Sequence, residues 1–193
     1  MTAPDHQQFL ERLDRSRPAV LAVADWLRWN GKAATVPETR YAPSFDVHKE
    51  YADNGDIFLT NGRLVEVKHL SINFTSAADW PFCEFFIDSE ARVARLGDKV
   101  DAYIALSADY AAMGIVLPKT REYWYLKETT NGNTGKVVHN VACSLEHVIF
   151  RPFEKRFAHY CHCSKLGVFG VGGKWFCREH HPHSSFSGTP AIS

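Results

Sequence analysis

Apolar and polar positions along this chain follow two different periods. Between residues 5 and 30 the period is helical: Phe9, Leu10 and Leu13 form one apolar stripe, and Val20, Leu21, Ala24 and Leu27 form a second. Ser16 as a cap, Pro18 in the first turn and Gly31 as a stop predict two helical pieces. Residues 33–36 read as a short strand, and residues 37–55, with their Pro, Asp, Asn and Gly, as loop. Over residues 56–70 the period becomes two. Apolar runs flank Asn61-Gly62, the strongest local signal for a hairpin. In the second run Glu66 and Lys68 share one face of a strand, while Val65 and Val67 share the other.

Downstream, residues 71–81 form a polar loop whose Asn73, Thr75 and Ser76 suit phosphate contact. In and beside it, Trp80 and Phe82 suit core packing. Residues 82–87 look like a strand. Asp88 or Ser89 can cap a short helix that ends at Gly97 and carries Arg92 and Arg95, with Lys99 just beyond. Residues 102–107 and 113–117 have buried-strand patterns, residues 123–126 a further strand, and residues 131–133 a turn before 136–139. The succession of helix, strand, hairpin, strand, helix and strand pair predicts α/β architecture, a mixed β-sheet flanked by helices.

Composition adds limits. A chain of 193 residues can bury about 70% of its unfolded surface without a covalent staple. Formal net charge is zero, which argues against a wholly basic coat but not against a local basic cleft. No apolar run reaches membrane-spanning length, and the first residues lack the pattern of an export signal. Five cysteines without such a signal predict reduced thiols and a cytoplasmic setting.

A carboxylate and an ammonium side by side in an apolar strand are costly to bury, so they pair, meet water or hold a metal ion. Asp56 followed by Glu66-Val67-Lys68 across a hairpin resembles the core motif of the PD-(D/E)XK, or restriction-endonuclease-like, nucleases, although Gly55 stands where the name-giving Pro would be. The resemblance covers roughly residues 45–150, and residues 102–126 look similar to small phage-encoded nucleases. It implies Asp56 and Glu66 as Mg²⁺ (or Mn²⁺) ligands, the Val67 backbone carbonyl as a further ligand and Lys68 beside the attacking water. It also implies nucleic acid, most readily DNA, as partner, and host cytoplasm if the gene is phage-borne. A homodimer is compatible, since nucleases that cut both strands often dimerise. Arg92, Arg95, Lys165 and Lys174 are the phosphate-contact candidates, and Asp25 or Glu11 could add an acid. A strict two-residue loop would pair Thr60 with Arg63 and turn Asp56 away from Glu66. A shared ion therefore requires a three-residue loop with Gly62 left-handed, or a bulge near Asp56.

A second cluster lies near the end. Cys161-x-Cys163, a glycine-rich arm and Cys177-x-x-His180 have the form of a closed, structural Zn²⁺ site and resemble zinc-ribbon or treble-clef knuckles. His159 and His181 compete for two of its positions. These readings divide the chain into a nuclease-like domain (1–155), a zinc-knuckle element (156–183) and a disordered tail (184–193). The function expected is Mg²⁺-dependent hydrolysis of phosphodiesters by an activated water. The competing expectation is a noncatalytic nucleic-acid- or protein-binding adaptor with a degenerate nuclease fold and a zinc staple.

Overall fold

A computed structural model describes residues 3–44, 46–47, 51, 55–130, 135, 137–154, 169–171 and 174–176. The chain divides into two units, Met1–Lys155 and Arg156–Ser193. In the second unit the described residues form a hairpin of β10 (Phe169–Val171) and β11 (Lys174–Phe176).

The first unit opens with α1 (Ala3–Trp29), a single helix with Pro18 inside it, not two pieces. Proline removes one helical hydrogen bond and crowds the preceding turn, yet its backbone angle remains helical. The following loop fastens both flanks of that weak point. Tyr41 Oη donates to Asp14 (2.7 Å) and Arg17 donates to the Pro37 carbonyl (2.7 Å). Ser16 does not cap; its hydroxyl donates back to the Leu13 carbonyl. The helix stops where expected, with Gly31 at a φ of 76°.

Six strands follow in one mixed sheet, ordered β1 (Ala34–Thr35), β2 (Ile57–Leu59), β3 (Leu64–His69), β5 (Val100–Leu106), β6 (Ala112–Val116) and β9 (Ile149–Pro152). β3 and β5 run parallel; the other neighbours are antiparallel. The crossover between the parallel pair holds β4 (Phe85–Ser89) and α2 (Glu90–Leu96). β4 belongs to a second sheet, ordered β4, β8 (Val137–Cys143), β7 (Tyr125–Thr130), which the sequence pattern did not separate from the first. β9 was also not foreseen, because Ile149-Phe150-Arg151-Pro152 is too short and too exposed to alternate clearly.

Two apolar cores divide along the faces of the large sheet. Val23, Ala24 and Leu27 of α1 pack against Ile57, Val65, Val67, Ile104 and Met113 on one face. On the other, Leu64, Tyr103, Ala105 and Val116 meet Phe85, Ile87 and Val141 of the small sheet, Leu96 of α2 and the loop residues Phe74 and Trp80. The loop of residues 71–81 does not offer its hydroxyls for phosphate. Asp79 gathers the N–H and hydroxyl groups of both Thr75 and Ser76, and these bonds hold its carboxyl down at about 2. The loop thus presents negative charge where hydrogen-bond donors had been expected.

The large sheet passes close under Phe85 at Gly114, where a Cβ would lie 2.8 Å from the Phe85 ring and 3.3 Å from Val148. Gly114→Ala should therefore destabilise the chain by about 1–3 kcal/mol through overpacking, read as a lower urea midpoint at unchanged slope.

Candidate functional site: a charged cluster beside the parallel strand pair

The site is set by the turn before β3. Leu59 N–H donates to the Arg63 carbonyl (2.8 Å) and Gly62 N–H to the Leu59 carbonyl (3.0 Å), so Thr60, Asn61 and Gly62 form a three-residue loop. Gly62 sits at a φ of 77°, a conformation glycine adopts without strain, and Asn61 Oδ1 accepts from Arg63 N–H. This gives the odd shift. Ile57 faces Val65 and Phe58 faces Leu64, and one further step brings Asp56 across from Glu66. Ile57 and Val65 point to the α1 core, while Phe58 and Leu64 point to the opposite one. By strand alternation Glu66 and Lys68 belong to the side of the second sheet and α2.

Each charged group there is engaged. Asp56 Oδ2 accepts the Val67 N–H at 2.7 Å, just past the end of β2. The N–H and C=O of a strand residue point to the same neighbour, so the Val67 carbonyl faces that edge also. Glu66 is buried, and its Oε2 accepts from both Nε (3.0 Å) and Nη2 (2.8 Å) of Arg92. The side chains of this pair are only 19% and 5% exposed, which puts the interaction in a medium of low dielectric. Lys68 Nζ lies 3.3 Å from Asp88 Oδ1, and its side chain is 37% exposed. Ser89 caps α2 by accepting the Arg92 N–H, which leaves Asp88 free of that role and turned to Lys68.

Tyr103 completes the cluster. It is 2% exposed, and its hydroxyl has no hydrogen-bond partner among the described residues. Burial above all, then the charges of Glu66 and Asp88, push its phenol up to about 12. With Glu66, Lys68, Phe85 and Ile87 it lines a cavity of about 10 Å³, room for roughly one water.

Of the other residues nominated from sequence, Arg95 is exposed in the last turn of α2. Asp25 is matched by Arg28 at 2.9 Å, and Glu11 accepts from Gln7. Cys161, Cys163, Cys177, His180 and Lys165 lie outside the described residues, and Lys174 is described only as the first residue of β11. Asp88 and Tyr103 escaped the sequence reading as site residues. One cue was available: Asp88-Ser89 offers two caps where a helix uses one.

The donor set suits a hard cation. Asp56, Glu66 and the Val67 carbonyl offer oxygen alone, and Mg²⁺ commonly takes one or two carboxylates and keeps several waters. Among the described residues no group of three or more His, Cys, Asp or Glu side chains is placed to hold a metal ion. Comparison with protein-family models, with curated proteins and with solved structures returned no match to this chain.

Between pH ~10, where an ordinary tyrosine ionises, and about 12, the unfolded chain has lost the Tyr103 proton and the folded chain has kept it. Stability therefore falls as pH rises through that window. Tyr103→Phe should remove this part of the fall. At pH 7 it should leave stability unchanged or raise it by up to about 1 kcal/mol, since it deletes a buried hydroxyl without a partner. Urea titrations at neutral and alkaline pH check both.

Proposed function

We propose that this chain is a Mg²⁺-dependent nuclease of the PD-(D/E)XK kind, hydrolysing phosphodiester bonds in DNA. The observation that carries the reading is the three-residue turn at Gly62, which brings Asp56 into register with Glu66 and keeps Lys68 on the same side. A strand with no use for that side would have no reason to hold a carboxylate and an amine among valines. The path from the hairpin through α2 to a parallel β5 also supports it, because the motif residues then lie on the interior strand of a mixed sheet.

In this reading Asp56, Glu66 and the Val67 carbonyl hold the ion. When bound, Mg²⁺ would neutralise charge on the scissile phosphate and make a water acidic enough to attack near neutral pH. The chain's own groups do the rest. Val67 N–H fixes the rotamer of Asp56, so one carboxylate oxygen is oriented before any ligand arrives. Lys68 donates hydrogen bonds toward the water, and Asp88 steadies its ammonium. The Tyr103 phenol, kept protonated by its raised pKa, stays a donor across the working range of pH. The C-terminal cluster with Cys161, Cys163, Cys177 and His180 is proposed to bind Zn²⁺ as a staple, with Lys165 and Lys174 beside it as contacts for nucleic acid.

One observation favours the adaptor reading instead: Arg92 and Asp88 already match Glu66 and Lys68 without any ion. Such a network can be purely structural. Substitutions separate the two readings. Asp56→Asn keeps an acceptor for the Val67 N–H while removing the charge, and Lys68→Met keeps the apolar stem. Each should reduce Mg²⁺-dependent cleavage of plasmid or single-stranded DNA by roughly a hundredfold or more, with the melting temperature nearly unchanged. Wild-type cleavage by both variants, or no cleavage by the parent protein with Mg²⁺ or Mn²⁺, would leave the adaptor reading standing.

A further inference from the structure

The pair that seals Glu66 is a guanidinium pressed onto one carboxylate oxygen by two donors, Nε at 3.0 Å and Nη2 at 2.8 Å. We propose that Arg92 is the resident counter-cation of Glu66, that a divalent ion must dislodge it, and that the released guanidinium then grips the substrate phosphate. This rests on the reading of Asp56 and Glu66 as a Mg²⁺ site.

Three observations carry it. First, Glu66 lies between Val65 and Val67 on an interior strand with its side chain 5% exposed, so a charged carboxylate there needs a cation at all times. Arg92 supplies that charge in the structure. A second, divalent cation on the same carboxylate would sit within a few ångströms of the guanidinium in a medium that screens poorly, and like charges so placed repel strongly. The two occupants therefore compete. Second, only the side chain has to move. The Arg92 N–H is held by the Ser89 hydroxyl at the start of α2, so the backbone anchor stays while the long, flexible stem swings. Third, Asp88, another carboxylate of the cluster, is already matched by Lys68 at 3.3 Å. A displaced guanidinium is better matched by an incoming anion, and its planar fork fits two phosphate oxygens at once. Loading of the ion and capture of the phosphate would then be coupled through one side chain, each favouring the other.

Mn²⁺ serves as the probe, titrated into metal-free full-length protein and followed by calorimetry or by the loss of free-ion paramagnetic signal. Arg92→Gln should bind Mn²⁺ about tenfold more tightly than wild type, equivalent to about 1.4 kcal/mol. Arg92→Lys, which keeps the charge, should bind it as wild type does. In cleavage assays Arg92→Gln should raise KM for DNA far more than it lowers kcat, because the phosphate grip is lost while the ion is retained. The inference is overturned if Arg92→Gln binds Mn²⁺ no more tightly than wild type. If neither protein binds Mn²⁺, the metal reading itself fails and this one with it, so the two failures look different. Should Arg92→Gln not fold, the wild type alone decides: the Arg92 Nε–H resonance should shift and lose its protection as Mg²⁺ is added. An unchanged resonance at saturating Mg²⁺ would refute displacement.

Discussion

A carboxylate set between two valines on an interior strand must be answered by positive charge, and the architecture around β3 is arranged to answer it. The apolar neighbours of Glu66 are needed for the α1 core, so the strand cannot be moved out to water. The charge has to be brought in. Helix α2 brings it, with Ser89 fixing where the helix begins and hence which residue, Arg92, reaches the strand. Were the cap one residue earlier, helical rotation of about 100° would carry the guanidinium off the carboxylate. Capping and ion pairing are one device at two scales.

The same logic extends outward. The small sheet closes over the polar side of β3 and converts a surface hairpin into a half-buried cleft, in which Tyr103 feels the charges of Glu66 and Asp88 while Lys68 pairs with Asp88. Gly114 allows Phe85 to approach closely enough for this closure. A second ion pair binds that sheet together: the carboxyl of buried Glu84 on the β4 side is held below its ordinary value by Lys127 and Tyr125 of β7. Burial of charge in this molecule is thus met by partners delivered from a neighbouring strand or helix.

Much of this was legible in the residues. The hairpin, the cap and stop of α2 and the buried strands near 102–107 and 113–117 declare themselves through local chemistry, because turns and caps need particular side chains. The requirement for an odd register followed from pleat geometry alone, and the glycine that satisfies it stands in the sequence. What could not be read depends on distant segments. Pro18 looked like a break because its consolidation by Tyr41 and Arg17 comes from the tertiary fold. Thr75 and Ser76 looked like donors for phosphate because Asp79 was not seen folding back on them. Arg92 was read as a phosphate contact; its carboxylate partner lies 26 positions earlier, beyond any local pattern.

The parallel pairing of β3 with β5 has a consequence in time as well as in space. An antiparallel hairpin can close as soon as its second strand exists, but Val67 can pair with Ile104 only after the whole crossover has been made. On a growing chain the two acids are therefore synthesised well before Arg92 and β5, and they wait in water until the crossover folds down. Glu66 can be buried only once the crossover exists, and the polypeptide that buries it already carries its own neutralising group.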